Sequence, residues 1–304
     1  MMAFPKQVRV VEVGPRDGLQ NEVNVSLEDK VVLINSLAKA GLKHIEGGAF
    51  VSPKWVPQMA DSSAVFAAIE RHDDVLLSAL TPNLKGAELA LAADVGEFAI
   101  FTAASEAFTQ KNINCSISES IERFRPVVEL AKANNIKVRG YVSCALGCPY
   151  QGAVAPEQVL EVCKQLLALG CYEVSLGDTI GVGTANEVEQ LLDLLLKHLD
   201  ASQLAVHFHD TYGQAISNIY AALKMGISTV DSAVAGLGGC PYAKGASGNV
   251  ATEDVVYLLQ KLGIDTGIDL KTLAQAGATI CKALNKHPQS KVANAILADC
   301  DQEQ

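Results

Sequence analysis

Leu204-Ala205-Val206-His207-Phe208-His209-Asp210 is a short apolar run that ends in two histidines one residue apart. Side chains of a β-strand alternate between two faces, so residues i and i+2 project to the same side. His207 and His209 therefore converge on one point, while Phe208 turns toward covering helices. Two imidazoles on one strand face form half of a divalent-metal site. Taken alone they are equally well two structural histidines, and the other strand ends of the chain decide between the two.

Short apolar, β-branched runs recur at 8–13, 43–47, 75–80, 97–101, 137–143, 172–176, 204–209 and 229–234. Stretches at 27–40, 117–134, 156–169, 185–199 and 215–225 repeat their apolar residues at three and four, as helices packed on one side do. Gly41, Gly170 and Gly226 follow three of them where a capping glycine belongs. Strands that alternate with helices predict parallel pairing through right-handed crossovers, which an open doubly wound sheet and a closed barrel both satisfy. No G-x-G-x-x-G follows the first strand, and the chemically able residues collect at the C-terminal ends of the strands. A barrel builds its active site there, from its βα loops. The expected fold is a (β/α)8 TIM barrel over about 7–262 with additional C-terminal helices over 263–304, the whole of 1–304 forming a single catalytic domain.

The 304 residues are 49% hydrophobic and 19% charged, enough apolar material for a large core. No apolar stretch approaches the ~20 residues that cross a bilayer, and the N-terminus shows no leader, so no membrane association and a cytoplasmic location are expected. A formal net charge of −10 without a basic run argues against a nucleic-acid partner. The eight cysteines include no C-x-x-C pair, as fits reduced and mostly buried thiols.

After the first strand, Gly14-Pro15-Arg16-Asp17-Gly18 reads as a tight turn that also sets an arginine beside an aspartate at the barrel mouth. Asp17 offers a hard oxygen ligand, and Arg16 a fixed positive fork for developing negative charge. Glu46 ends the second strand before Gly47-Gly48-Ala49, small residues that leave room for a ligand. The sixth strand brings Ser175 and Asp178 toward the mouth; Asp178 is either a support for a histidine or metal-bound water or a turn and helix-cap aspartate. The loop at 235–249 holds five glycines, which suits closure over a ligand, and places Cys240 in polar surroundings as a proton donor or acceptor. Asn249 closes that loop and is either a turn residue or a further metal ligand.

The strings Val13-Gly14-Pro15-Arg16-Asp17-Gly18-Leu19-Gln20-Asn21-Glu22, Ser175-Leu176-Gly177-Asp178-Thr179-Ile180-Gly181-Val182-Gly183-Thr184 and Val234-Ala235-Gly236-Leu237-Gly238-Gly239-Cys240-Pro241-Tyr242 resemble the 3-hydroxy-3-methylglutaryl-CoA lyase family. So do 50–59 and 140–150, and the likeness extends over about 7–297. The cysteine loop is its specific part; the Arg-Asp turn and His-x-His strand are shared with isopropylmalate and homocitrate synthases. The resemblance implies that Asp17, His207, His209 and Asn249 bind one Mg²⁺ or Mn²⁺. It further implies that Arg16 stabilises an enolate and that Glu46, Asp178 and Cys240 are needed for turnover. The implied reaction is retro-Claisen cleavage of the acyl-CoA substrate (S)-3-hydroxy-3-methylglutaryl-CoA to acetoacetate and acetyl-CoA, a step of leucine degradation and ketone-body formation. His207 is the first choice as proton acceptor, with Asp17 and Glu46 as rivals. Arg16, Ser175, Gly47 and Gly48 are the expected substrate contacts, the glycines widening the space around the 3-substituent. Lys54, Lys85, Lys111 and Lys244 lie in mouth-side loops, as partners of coenzyme A phosphates would. A homodimer is compatible with all of this. A condensing synthase of the same superfamily, or a non-enzymatic metal-binding module, are the alternative functions.

Overall fold

Eight parallel strands close on themselves in chain order, with the first hydrogen-bonded to the eighth. They are β1 (Arg9–Glu12), β2 (His44–Ala49), β3 (Leu76–Leu80), β4 (Glu97–Ala103), β5 (Lys137–Ser143), β6 (Glu173–Asp178), β7 (Leu204–Phe208) and β8 (Thr229–Ser232). The helices that return the chain are α1 (Leu27–Lys39), α2 (Ser62–Ala68), α3 (Leu84–Ala92), α4 (Glu106–Ile113), α5 (Ile117–Ala133), α6 (Pro156–Leu169), α7 (Ala185–Leu195) and α8 (Ala215–Lys224). Beyond the barrel strands lie β9 (Gly239–Cys240), β10 (Ala243–Ser247), α9 (Thr252–Lys261), α10 (Leu270–Ala283) and α11 (Lys291–Gln302). This computed structural model describes residues 4–240 and 243–302; the side chains of 240, 243–247 and 300–302 lie outside the description. Among the described residues no helix is long and apolar enough to cross a membrane.

All eight barrel strands fall on the apolar runs read from the sequence, and the fold is the expected TIM barrel with helices after it. Helices α2, α3 and α4 have 7 to 9 residues, too few turns to leave a clear apolar stripe. Helices α1 and α5 begin at Ser26 and Ser116, each in a reciprocal cap with an acidic residue three positions on. Gly41 ends the α1 segment at φ 103°, and a Cβ there would lie 2.2 Å from the carbonyl oxygen of Gly267. Only glycine fits, and that close approach docks the C-terminal segment, whose α10 packs on α1. Within the glycine-rich segment after β8, β9 and β10 pair as an antiparallel hairpin.

Two buried carboxylates, one at the end of β1 and one in the first turn of α9, hold the turn from which this hairpin leaves. Glu12 accepts bonds from the backbone N–H of Gly14 at 2.8 Å, that of Val234 at 2.9 Å, and the Thr252 hydroxyl at 2.6 Å. Glu253 accepts from the N–H of Ala235, a residue in the left-handed region at φ 58°. Burial pushes the Glu12 carboxyl up to about 7 and that of Glu253 up to about 8. A carboxyl raised above its unfolded value favours the fold at low pH, and that contribution fades as pH rises through the folded value. Glu253→Gln keeps an acceptor but cannot ionise. Between pH 6 and pH 8 its unfolding free energy should therefore gain on wild type by on the order of 2 kcal/mol. Urea unfolding at the two pH values measures this, and a pH-independent difference contradicts it.

Candidate active site

The chain leaves β1 through a single π-helical turn, Gly14–Gly18, in which the carbonyl of Val13 accepts from the N–H of Asp17 at 2.7 Å and of Gly18 at 3.2 Å. Such turns recur at functional sites because they swing side chains off the regular spiral. Here the turn lays Arg16 and Asp17 across the barrel mouth. Arg16 is buried; its Nε donates to Glu46 at 2.8 Å and its Nη1 to Asp17 at 2.7 Å. Its guanidinium also lies 5.7 Å from the centre of the Tyr141 ring. A fork held this way is pre-organised and stays charged.

Opposite it, His207 on β7 and His209 just past its end face the same side. The ligand atoms of Asp17, His207 and His209 all lie within 4.8 Å of one another, the spacing a single cation can bridge. Asn249 is bridged through its backbone to His209 and donates from its amide to Asp17 at 2.9 Å. Burial would raise the Asp17 carboxyl, but Arg16 and the two histidines pull it down to about 2. Burial and the neighbouring His207 push His209 down to about 4, so its imidazole is neutral, as a ligand must be. His209 also has a buried Nδ1 with no hydrogen-bond partner. An anionic carboxylate and two imidazoles, one of them with an orphaned ring nitrogen, fit a divalent ion; the identity of the ion is not written in this donor set.

The cavity above this cluster measures about 380 Å³. Arg16, Asp17, His207 and His209 form its polar side, and Val51, Leu80, Phe101, Phe108 and Val142 its apolar side. Trp55 stands on the rim, 85% exposed. Other expected site residues fall elsewhere. Glu46 is fully buried behind Arg16. Asp178 accepts from the N–H groups of Val182 at 3.2 Å and Gly183 at 2.9 Å, while its backbone carbonyl receives the N–H of His209. It thus holds the β6 loop and the end of β7, and burial raises its carboxyl to about 6. Ser175 is buried and donates to Asp231 at 2.8 Å instead of facing a ligand. Gly47 and Gly48 do not widen the cavity. An irregularity in β2 between Glu46 and Gly48 turns both outward, so a Cβ on Gly47 would meet Phe66 at 3.2 Å and one on Gly48 would meet Ser62 Oγ at 2.8 Å. The side chains of Cys240 and Lys244 lie outside the described residues; the backbone of Gly239, next to Cys240, lines the cavity.

Sequence reasoning missed Tyr141, Arg139 and Asp231. Tyr141 lines the cavity and stacks edge-on against His207 with ring centres 5.9 Å apart. Arg139 donates to Tyr141 at 2.9 Å and to Asp231 at 2.8 and 3.1 Å, and Asp231 lies 3.3 Å from His207 Nδ1. The available signal was a lone charge in the middle of an apolar strand, which is costly unless paired.

A closed parallel barrel with an Arg-Asp turn and a His-x-His pair meeting at its C-terminal mouth defines a barrel enzyme with a candidate divalent-metal centre. The chain belongs to the HMGL-like family, whose model matches residues 7–280. It is 58% identical over 298 residues to a 3-hydroxy-3-isohexenylglutaryl-CoA/hydroxy-methylglutaryl-CoA lyase of Pseudomonas aeruginosa, covering 98% of this chain and 99% of that protein. It is also 58% identical to the mitochondrial hydroxymethylglutaryl-CoA lyase of Bos taurus, over 96% of this chain and 90% of the other. The crystal structure of hydroxymethylglutaryl-CoA lyase from Pseudomonas aeruginosa superimposes with a TM-score of 0.96, covering 97% of this chain and 99% of that one.

The position of Gly48 carries a prediction. A valine there must displace Ser62, whose hydroxyl bonds both the N–H and the carbonyl of Ala49. Gly48→Val should lose roughly 1–3 kcal/mol of stability, the cost of overpacking, with KM of the folded fraction unchanged. Urea unfolding and steady-state kinetics check it, and an altered KM at unchanged stability contradicts it.

Proposed function

We propose that this mouth cleaves (S)-3-hydroxy-3-methylglutaryl-CoA into acetoacetate and acetyl-CoA with the help of one Mg²⁺ or Mn²⁺. The observation that carries the proposal is the meeting of the Arg16–Asp17 turn with His207 and His209 on one side of a single cavity. The family membership and the 58% identity to hydroxymethylglutaryl-CoA lyases support it. Asp17, His207, His209 and Asn249 would hold the cation, which when bound lowers the pKa of the 3-hydroxyl and fixes its geometry.

Cleavage removes the proton of the 3-hydroxyl and leaves the C2–C3 electron pair on C2 as a thioester enolate. Arg16, the buried fork on the cavity wall, stabilises the enolate oxygen. The expected acceptor, His207, has Nδ1 3.3 Å from Asp231 and would give Nε2 to the cation. Of its rivals, Asp17 lines the cavity and is the better placed acceptor, whereas Glu46 is fully buried behind Arg16, away from the cavity lining, and orients the guanidinium. Asp178 acts through His209 as a positioning residue, and Ser175 through Asp231. Cys240, on the hairpin whose Gly239 lines the cavity, returns a proton to C2. Six described cysteines are free and buried, which fits a reducing compartment such as the cytoplasm.

Release of acetoacetate from the thioester, measured with and without EDTA, tests the proposal. Turnover should vanish with the chelator and return with excess Mn²⁺; a chelator-insensitive reaction, or none with metal present, refutes it. Arg16→Gln should bind Mn²⁺ normally and lose about 10²–10³-fold in kcat, the scale of one lost oxyanion donor. A change confined to KM would make Arg16 a binding residue only.

A further inference from the structure

Asp231 sits in β8, buried beneath His207, and its two oxygens face four donors. Oδ1 accepts Arg139 Nη2 at 2.8 Å. Oδ2 accepts Arg139 Nη1 at 3.1 Å and Ser175 Oγ at 2.8 Å, and lies 3.3 Å from His207 Nδ1. Arg139 is fixed in turn by Glu173 at 2.7 Å and by the Tyr141 hydroxyl. A guanidinium only donates, and a carboxylate paired with one only accepts. The proton between His207 and Asp231 must therefore reside on Nδ1. This leaves the lone pair of a neutral His207 on Nε2, the nitrogen that faces Asp17.

We propose that Asp231 is a positioning residue that fixes the tautomer and ring orientation of His207, so that Nε2 alone is presented to the cation. The proposal rests on the metal reading of the site given above. It assigns Arg139 and Ser175 a shared task, since both prevent the carboxylate from turning away from the imidazole. Histidine ligands commonly donate their second N–H to such a carboxylate, and losing it costs 10- to 100-fold in affinity.

The test compares wild type with Asp231→Asn, using Mn²⁺ as the probe. Arg139 has no acceptor to offer, so it would claim the amide oxygen of the variant. The amide nitrogen would then face Nδ1 and drive the His207 proton onto Nε2. Mn²⁺ affinity, read by electron paramagnetic resonance, should fall about 10- to 100-fold with the circular dichroism of the fold retained. A purely structural role would lower the stability of the variant and leave its Mn²⁺ affinity unchanged, which overturns the proposal. The tautomer can also be read in wild type without any substitution, from long-range ¹H–¹⁵N correlations of the Mg²⁺-loaded protein. A His207 proton on Nδ1 supports the proposal even if the variant does not fold, and a proton on Nε2 overturns it. Wild type that binds no Mn²⁺ removes the metal reading itself, an outcome distinct from a wild type and variant that bind equally well.

Discussion

The guanidinium of Arg139 lies fully buried in the barrel interior, where most barrels of this kind place branched aliphatic side chains. Taking such a cation out of water costs several kcal/mol, and the expense is offset only when its hydrogen-bonding positions are met by well-placed partners. Glu173 on β6, Asp231 on β8 and Tyr141 on β5 supply them. Removing one partner would strand another buried charge at a cost of about 3–5 kcal/mol. The neighbouring strands are thus tied together through their interior, and the network continues from Glu173 to Arg9 on β1 and to Thr229 on β8.

Both halves of the mouth rest on this one cation. Through Asp231 it reaches His207 and the candidate metal-ligand cluster. Through Tyr141 it reaches Glu46, 3.4 Å from the hydroxyl, and so Arg16. Among the described residues linked in this way, Arg9, Arg16 and Arg139 face Asp17, Glu46, Glu173 and Asp231, with Glu97 held by His44 at the base. Carboxylates outnumber arginines, and the excess lies at Arg16, which faces both Asp17 and Glu46 beside the two histidines, where a divalent cation would neutralise it. Electrostatics inside the barrel and chemistry at its mouth are therefore one system. The periphery has a separate device: Glu12 and Glu253 hold the turn that launches the hairpin carrying Cys240.

Much of the site could be read from the chain because its signals are local. The convergence of His207 and His209 needs only the two-residue period of a strand, and the adjacency of Arg16 and Asp17 needs only the peptide bond between them. Gly47 and Gly48 misled for the same reason. Plain alternation sends one of two neighbours inward, and only the pairing of β2 with β3 contains the irregularity that turns both toward α2. Ser175 was expected at the mouth as a substrate contact, but it is buried and its partner is a carboxylate 56 residues away.

The eight strands, most of the longer helices, the barrel architecture and the cluster of Arg16, Asp17, His207 and His209 were legible in the chain. Hydrophobic period, capping residues and turn chemistry act over a few residues, so each is present in the string. Closure of the barrel decided the rest. Arg139 finds Glu173 at a separation of 34 residues and Asp231 at 92, while His207 finds Asp231 at 24. Which nitrogen of His207 faces the mouth, and which carboxylate stands behind Arg16, follow from those contacts. A lone charge in a strand announces only that it needs a partner; the register of strands far apart in the chain selects which one it meets.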